Sequence, residues 1–439
     1  MKKINKNELK ILKEEYLQND LHKGLRSALS KTNLHDVIYL SEAEKNQNFH
    51  FSLNLDTLPV NNQKRSGRCW IFAGLNVLRE VAAKKYHVAN IEFSQTYLAF
   101  YDKLEKTNYF IEAMDDFLGV DNDDRKLKHL LKMGIQDGGQ WDMFVSLINK
   151  YGIVIKEAMP ETFQSSNTML TNQIINFQLR KYVSEARELF EKKESAKIKT
   201  LKADYFKKLY QLLVSAYGVP PTSFDYEYVD KDKNYQLLTN LDPIKFYQDL
   251  KIDLNDYISV INAPTKDKPY FKNYTVEYLG NVVSGKEINH LNLPMERLIE
   301  LTIKQLKDKE VVWFGSDVFF YGDREKGIWD DKQLDYSLLG IDYNMSKENR
   351  LNYVQGAMNH AMIITGVNLK DEQPNKWKIA NSWGDDKGSK GYYLISQSWF
   401  LEHVYQVIIN KKHLTESELK AYNSKPTVLK PWDPMGSLA

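Results

Sequence analysis

The chain has one cysteine, Cys69, in 439 residues. A single thiol excludes a disulfide scaffold and a cysteine-based zinc site. No apolar run approaches the length of a membrane span. The basic start, Met1-Lys2-Lys3-Ile4-Asn5-Lys6-Asn7-Glu8, has no apolar stretch behind it, so no secretory signal is expected. Neither sign of charge dominates: Lys and Arg number 60, Asp and Glu 58, and the formal net charge is +2. That balance announces neither a nucleic-acid partner nor a membrane surface. Internal repeats are absent, and so are linkers rich in Gly, Ser or Pro. With 42% hydrophobic and 12% aromatic residues the chain is globular, and long enough for two or more structural units.

The lone cysteine stands at a sharp change in polarity. Asn61-Asn62-Gln63-Lys64-Arg65-Ser66-Gly67-Arg68 is polar, and Ser-Gly breaks regular structure. From Cys69-Trp70-Ile71-Phe72-Ala73 to Leu78 the chain is apolar on nearly every side, the pattern of a buried helix. Cys69 therefore belongs at or near a helix N-terminus. Unpaired N–H groups and the helix dipole there favour a thiolate, which predicts a lowered thiol pKa. Gln63 lies on the loop six residues upstream. Its amide and the Cys69 N–H could together hold an oxyanion beside the sulfur.

A thiol nucleophile needs an imidazole. His22, His35, His50, His87, His129, His290, His403 and His413 sit in charged, helix-like or loop contexts and are expected on the solvated surface. His360 is different, because it opens Ala361-Met362-Ile363-Ile364-Thr365-Gly366-Val367, an apolar, β-branched run of strand length. A second strand follows and ends in Asn381-Ser382-Trp383-Gly384, then a third at Gly391-Tyr392-Tyr393-Leu394-Ile395. Asn381 could accept the His360 ring N–H and fix its tautomer, with Trp383 covering the bond. Gln, Cys, His and Asn in that order, on those elements, point to nucleophilic catalysis by a cysteine.

These residues resemble the papain-like cysteine peptidases, and within them the bleomycin hydrolase and aminopeptidase C branch. The resemblance rests on Ser66-Gly67-Arg68-Cys69-Trp70, Asp137-Gly138-Gly139-Gln140-Trp141-Asp142-Met143, Asn359-His360-Ala361-Met362 and the tail Pro431-Trp432-Asp433-Pro434-Met435-Gly436-Ser437-Leu438-Ala439. The matching segments run from about residue 55 to the end; residues 160–290 offer no match. Secreted members carry a second Cys just before the nucleophile; here Ser66 takes that role, which fits a reducing, cytoplasmic compartment. The resemblance implies an α+β, two-lobed papain-like fold with a large helical insertion and a C-terminal arm in the cleft. It implies a cysteine aminopeptidase acting on peptides, with Cys69, His360 and Asn381 catalytic and Gln63 at the oxyanion. It also implies substrate contacts at Gly138, Gly139 and the terminal carboxylate of Ala439, no metal or other cofactor, and a homo-hexamer. An endopeptidase with the same groups is the alternative. A non-catalytic module binding nucleic acid or protein would have no reason to keep all four polar groups.

Along the chain, residues 1–60 are expected to pack on the core, with amphipathic helix over 6–30 and extended loop over 31–60. Residues 61–160 form the helical lobe, including a helix capped by Ser94. The Asp137-Gly138-Gly139-Gln140 turn reads either as Asp capping with positive-φ glycines or as a substrate-contacting loop. Residues 161–295 are expected to be a helical insertion. The Cys-to-His gap is about twice the usual 130–150 residues of papain-like enzymes. Residues 296–425 make the β-rich lobe, and 426–439 the arm. Lysines 192, 193, 197, 199, 202, 207 and 208 read as solvated helix faces. Ile174, Ile175, Phe177, Leu189, Phe190, Leu209, Leu212 and Leu213 are candidates for oligomer contacts.

Overall fold

A computed structural model describes residues 2–438, apart from the side chains of Glu44 and Asn46. Two helices open the chain, Lys6–Gln18 and Asp20–Leu29, each capped by the side chain of an Asn, Asn5 and Asn19. Neither helix buries a residue, and Leu9, Ile11 and Leu12 stay exposed. Packing of this region on the body therefore starts at Ile38 and not with the helices. The extended stretch expected over 31–60 is interrupted by the short helix Leu34–Ile38 and a 3-10 segment, Ser41–Asn46.

The helix Cys69–Lys85 is the axis of the molecule, with every residue from Cys69 to Arg79 buried. Its apolar circumference is matched by neighbours all round: Gln95–Ala113, Trp141–Tyr151 and the strand His360–Lys370. Close approach to Trp141–Tyr151 requires Gly74, where a Cβ would meet the Phe144 ring at 2.8 Å. Ser94 caps Gln95–Ala113 by accepting from Tyr97 N.

The stretch 161–295, expected to be an insertion, opens with Phe163–Ser166 and two long helices, Met169–Glu191 and Ser195–Tyr217, laid against Gln95–Ala113. Long helices fill only its first half; the second half holds one short helix, Pro243–Asp249. A hairpin follows, Phe224–Val229 with Tyr235–Leu241. Then Tyr257–Ile261, Lys272–Val276 and His290–Asn292 enter the main sheet, so the boundary expected at 296 falls inside the β-structure. These strands are short and set among polar residues, and their pairing partners lie far along the chain: Val260 pairs with Val407 and Tyr274 with Thr427.

The sheet is mostly antiparallel, and its centre runs Tyr257–Ile261, Val404–Asn410, Val312–Ser316, His360–Lys370, Gln373–Ala380, Tyr392–Ser396. Leu53–Asn54 pairs on the His360 strand opposite Val367 and Gly366. One apolar core lies around the Cys69 helix, and a second lies between the sheet and the helix Met295–Lys307. Among the described residues no helix is long and apolar enough to cross a membrane.

Candidate active site

The Cys69 helix packs on the His360 strand, which brings the thiol beside the start of that strand. Cys69 is 2% exposed. Burial pushes its thiol up to about 11; backbone N–H groups of Ala361, Trp70 and Cys69 pull the other way without overcoming it. Burial opposes the lowered thiol pKa expected from the helix end, because it disfavours the charged form that the N–H groups favour.

His360 begins its strand opposite Ser316. Its Nε2 lies 2.8 Å from Asn381 Oδ1, which also accepts from Ser382 N at 2.8 Å. An amide oxygen only accepts, so Nε2 carries the proton and Nδ1 is left as the base. The Trp383 ring covers the imidazole at 4.8 Å. Burial pushes the His360 pKa down to about 4; the Asn381 bond opposes this and Arg324 adds to it.

Gln63 is held by the other half of the Asn-Ser-Trp-Gly motif. Ser382 Oγ donates to Gln63 Oε1 at 2.6 Å, and Gln63 N donates to Ser382 O at 2.8 Å. One Nε2 hydrogen goes to Ser66 O at 2.6 Å, and among the described residues the second has no partner. Ser66 Oγ closes the turn on Gln63 O at 2.6 Å and accepts from Arg68 Nε at 2.9 Å.

Comparison with known proteins adds the family. The Peptidase C1-like family model matches residues 3–436. The chain belongs to the Peptidase C1-like family. Within that family it is 43% identical over 429 residues to aminopeptidase C of Streptococcus thermophilus, covering 97% of this chain and 96% of the relative. It is 37% identical over 402 residues to human bleomycin hydrolase, covering 89% and 88%. The crystal structure of PepW from Lactobacillus rhamnosis HN001 superposes with a TM-score of 0.97 at 44% identity, covering 100% of this chain and 99% of that one. This family member is a papain-like cysteine peptidase of the aminopeptidase C and bleomycin hydrolase type.

The residue that sequence reasoning undervalued is Asp137. It caps no helix, since Gln140 precedes Trp141–Tyr151 and makes no side-chain cap. Instead its carboxylate accepts from Gly67 N at 3.0 Å, from Asn172 Nδ2 at 2.9 Å and from Thr168 Oγ1, and it pairs with the buried Lys103. Its carbonyl receives Trp70 Nε1 at 2.7 Å. The loop before Cys69, the Cys69 helix and the insertion all meet on this one residue. Its signal was the Asp-Gly-Gly-Gln turn. Neither Gly138 nor Gly139 has positive φ. Gly139 is required because a Cβ would stand 2.5 Å from the Trp70 ring, and the Gly138 carbonyl accepts from Lys106 Nζ at 2.7 Å.

The tail is held at every step. Trp432 lies under the Arg125 guanidinium at 3.8 Å and beside His129, and Asp433 pairs with Lys268 at 2.9 Å. Pro434–Gly436 forms one 3-10 turn, where no regular structure was expected, and Met435 is buried. Ser437 Oγ donates to Met358 O at 2.7 Å, and Gln140 Nε2 donates to Ser437 O. Leu438 packs on the helical core. Ala439, expected to carry the substrate-facing carboxylate, lies outside the described residues. Beside the tail is a cavity of about 930 Å³ reaching from Leu438 past Met358 and Asn359 to Asp317.

Two expected surface histidines are buried. His290 bonds Ser259 Oγ through Nδ1 at 2.7 Å, and His403 stacks on Phe320.

Proposed function

We propose that this peptidase removes single residues from the N-terminus of peptides through a thioester on Cys69. Cys69 attacks the peptide carbonyl as the thiolate, its proton taken up by His360 Nδ1. The developing oxyanion receives the free Gln63 Nε2 hydrogen and the Cys69 N–H. His360 passes its proton to the departing amine, then activates the water that releases the acid. Asn381 keeps Nδ1 facing the sulfur. Gly138, the less buried of the two glycines, is the one offered to the substrate backbone, whereas the missing Cβ of Gly139 is accounted for by Trp70.

The observation that carries the N-terminal preference is the tail, pinned by Gln140 and Met358 next to His360. A chain held there occupies the ground that residues before the scissile bond would need. Its terminal carboxylate can pair with a free α-ammonium, which selects an N-terminus and blocks internal bonds. Deleting Ser437, Leu438 and Ala439 is expected to weaken hydrolysis of single amino-acid amides and to admit N-blocked peptides. An intact enzyme that already cleaves blocked peptides at comparable rates would make it an endopeptidase. Failure of the deletion to change either activity would remove the tail from the specificity.

Assembly into a closed homo-oligomer, the hexamer of the resemblance, is supported by the insertion. Ile175, Leu209 and Leu213 are buried within the chain. A stripe on the outer face is not: Phe163 is 75% exposed, Phe177 65%, with Met169, Leu170 and Ile174 between them. Light scattering giving the monomer mass near 51.3 kDa would overturn the assembly. A cytoplasmic, reducing setting suits an enzyme whose one cysteine must stay a free thiol.

A further inference from the structure

Arg324 stands on the other side of His360 from the tail. It follows Gly322–Asp323, which pairs with Ile328–Trp329 and forms one edge of the sheet. The other edge is Thr427–Leu429, from which the tail departs, and the His360 strand lies between the two. The turn that carries Arg324 is fixed. Asp323 Oδ1 accepts from Glu325 N and Lys326 N, each at 3.0 Å, and Tyr393 Oη donates to the Arg324 carbonyl at 3.1 Å. The exposed side chain lies over Trp383, its guanidinium carbon 5.0 Å from the ring centroid. Trp383 is itself set among Trp329, Tyr393 and the His360 imidazole. Among the described residues Arg324 is the one charge that acts on the His360 ring. Its guanidinium has no hydrogen bond to any described residue and no described carboxylate within 4.0 Å. Glu325, next in the chain, is turned to Lys387 at 2.6 Å. A guanidinium stacked by its face keeps its N–H edges for a planar carboxylate.

We infer that Arg324 sets specificity on the leaving-group side of the cleft by receiving a carboxylate of the substrate, either the terminal carboxylate of a dipeptide or an acidic side chain just after the scissile bond. The inference rests on the aminopeptidase reading. In that reading the acyl residue lies against the tail, and the departing amine, which His360 protonates, lies on the opposite side of the imidazole. The first residue of the leaving group then passes Trp383, the ring that covers His360, and Arg324 stands over that ring. The plainer role for Arg324 is to seal Trp383 over the His360–Asn381 bond, and that role is indifferent to charge on the substrate.

Two pairs of substrates, all with a free N-terminus and an alanyl acyl group, separate these roles. Alanyl-alanine against alanyl-alaninamide tests the terminal carboxylate. Alanyl-glutamyl amide against alanyl-glutaminyl amide tests the acidic side chain. The leaving amines of the first pair differ in basicity, so each ratio in the wild type is read against the same ratio in Arg324→Gln. The variant is expected to lose roughly three- to tenfold in kcat/KM on the carboxylate member of at least one pair, and less on its neutral partner. Arg324→Lys keeps the charge and should retain part of the difference. The pair that responds names the source of the carboxylate. Equal losses on the two members of both pairs overturn the inference and leave Arg324 with the sealing role. So does the absence of any loss. Hydrolysis of none of the four by the wild type overturns the aminopeptidase reading itself.

Discussion

Asp137→Asn tests whether a buried charge holds the nucleophile loop. The carboxylate it replaces serves Gly67 N, Thr168, Asn172 and Lys103 at once. Asn keeps the shape and one acceptor but removes the charge. The Lys103 side chain, 2% exposed, is left with neutral acceptors alone, Asn172 Oδ1 among them. Breaking one side of a buried pair costs about 3–5 kcal/mol. Because Asn still accepts one bond, the lower end, about 3 kcal/mol, is expected. That is a large share of the roughly 5–15 kcal/mol of a whole domain. The assay is urea unfolding of both proteins at pH 7, followed together with the rate of Cys69 alkylation. The variant should unfold earlier, and its alkylation rate should change, since Gly67 and Trp70 both donate to this residue. The pH dependence has a definite sign. Burial raises the Asp137 carboxyl pKa, but Lys103, Thr168 and the Gly67 N–H outweigh it and hold the pKa well below the usual range. The stabilisation is therefore present above about pH 4, is lost as pH falls through the lowered folded value, and is missing in the variant. A stability difference under about 1 kcal/mol at pH 7 would refute the reasoning, because no buried pair broken on one side costs so little.

Cys69→Ala is expected to abolish turnover with the fold intact, and Gln63→Ala to lower kcat by roughly 10²–10³, as for loss of one oxyanion donor; Asn381→Ala should cost less, and steady-state kinetics on an amino-acid amide rank the three. Ser382→Ala should carry part of the Gln63 effect, since it frees Gln63 Oε1; no change in kcat would separate Ser382 from the oxyanion site. Burial lowers the pKa of His290 and His360 to about 4 and of His403 to about 3. Their stabilisation is complete above about pH 6.5 and declines as pH falls through these folded values, by up to roughly 3 kcal/mol for His290 and His360 and roughly 5 kcal/mol for His403. Urea unfolding at pH 7 and 4.5 checks the decline, and His290→Gln should make it shallower. The acid limb of kcat/KM should lie near pH 4, where His360 protonates; a limb at the ordinary imidazole value would show that burial does not lower the His360 pKa in the working enzyme.

Local polarity and residue order were enough to place Cys69 at a helix start and His360 and Asn381 on neighbouring strands. The switch from Arg68 to Cys69 starts a helix because apolar residues on all sides need a buried cylinder. The β-branched run after His360 makes a strand for the same local reason, and Asn381 ends the next one. Resemblance supplied the family on those few motifs. Other features depended on residues distant in the chain. Asp137 reads as turn chemistry until Gly67, 70 positions away, is brought to it. His290 and His403 look solvated in their own segments, and only sheet packing removes their water. The strands between 257 and 292 are too short to announce themselves, and pairing with segments beyond residue 400 makes them part of the sheet. The thiol shows the limit most directly. Its helix end favours a thiolate, but the charge also depends on how much water the whole fold leaves around it, and burial pushes the other way. Periodicity and polarity act over one element, whereas desolvation and counter-charge are set by whatever the rest of the chain brings near.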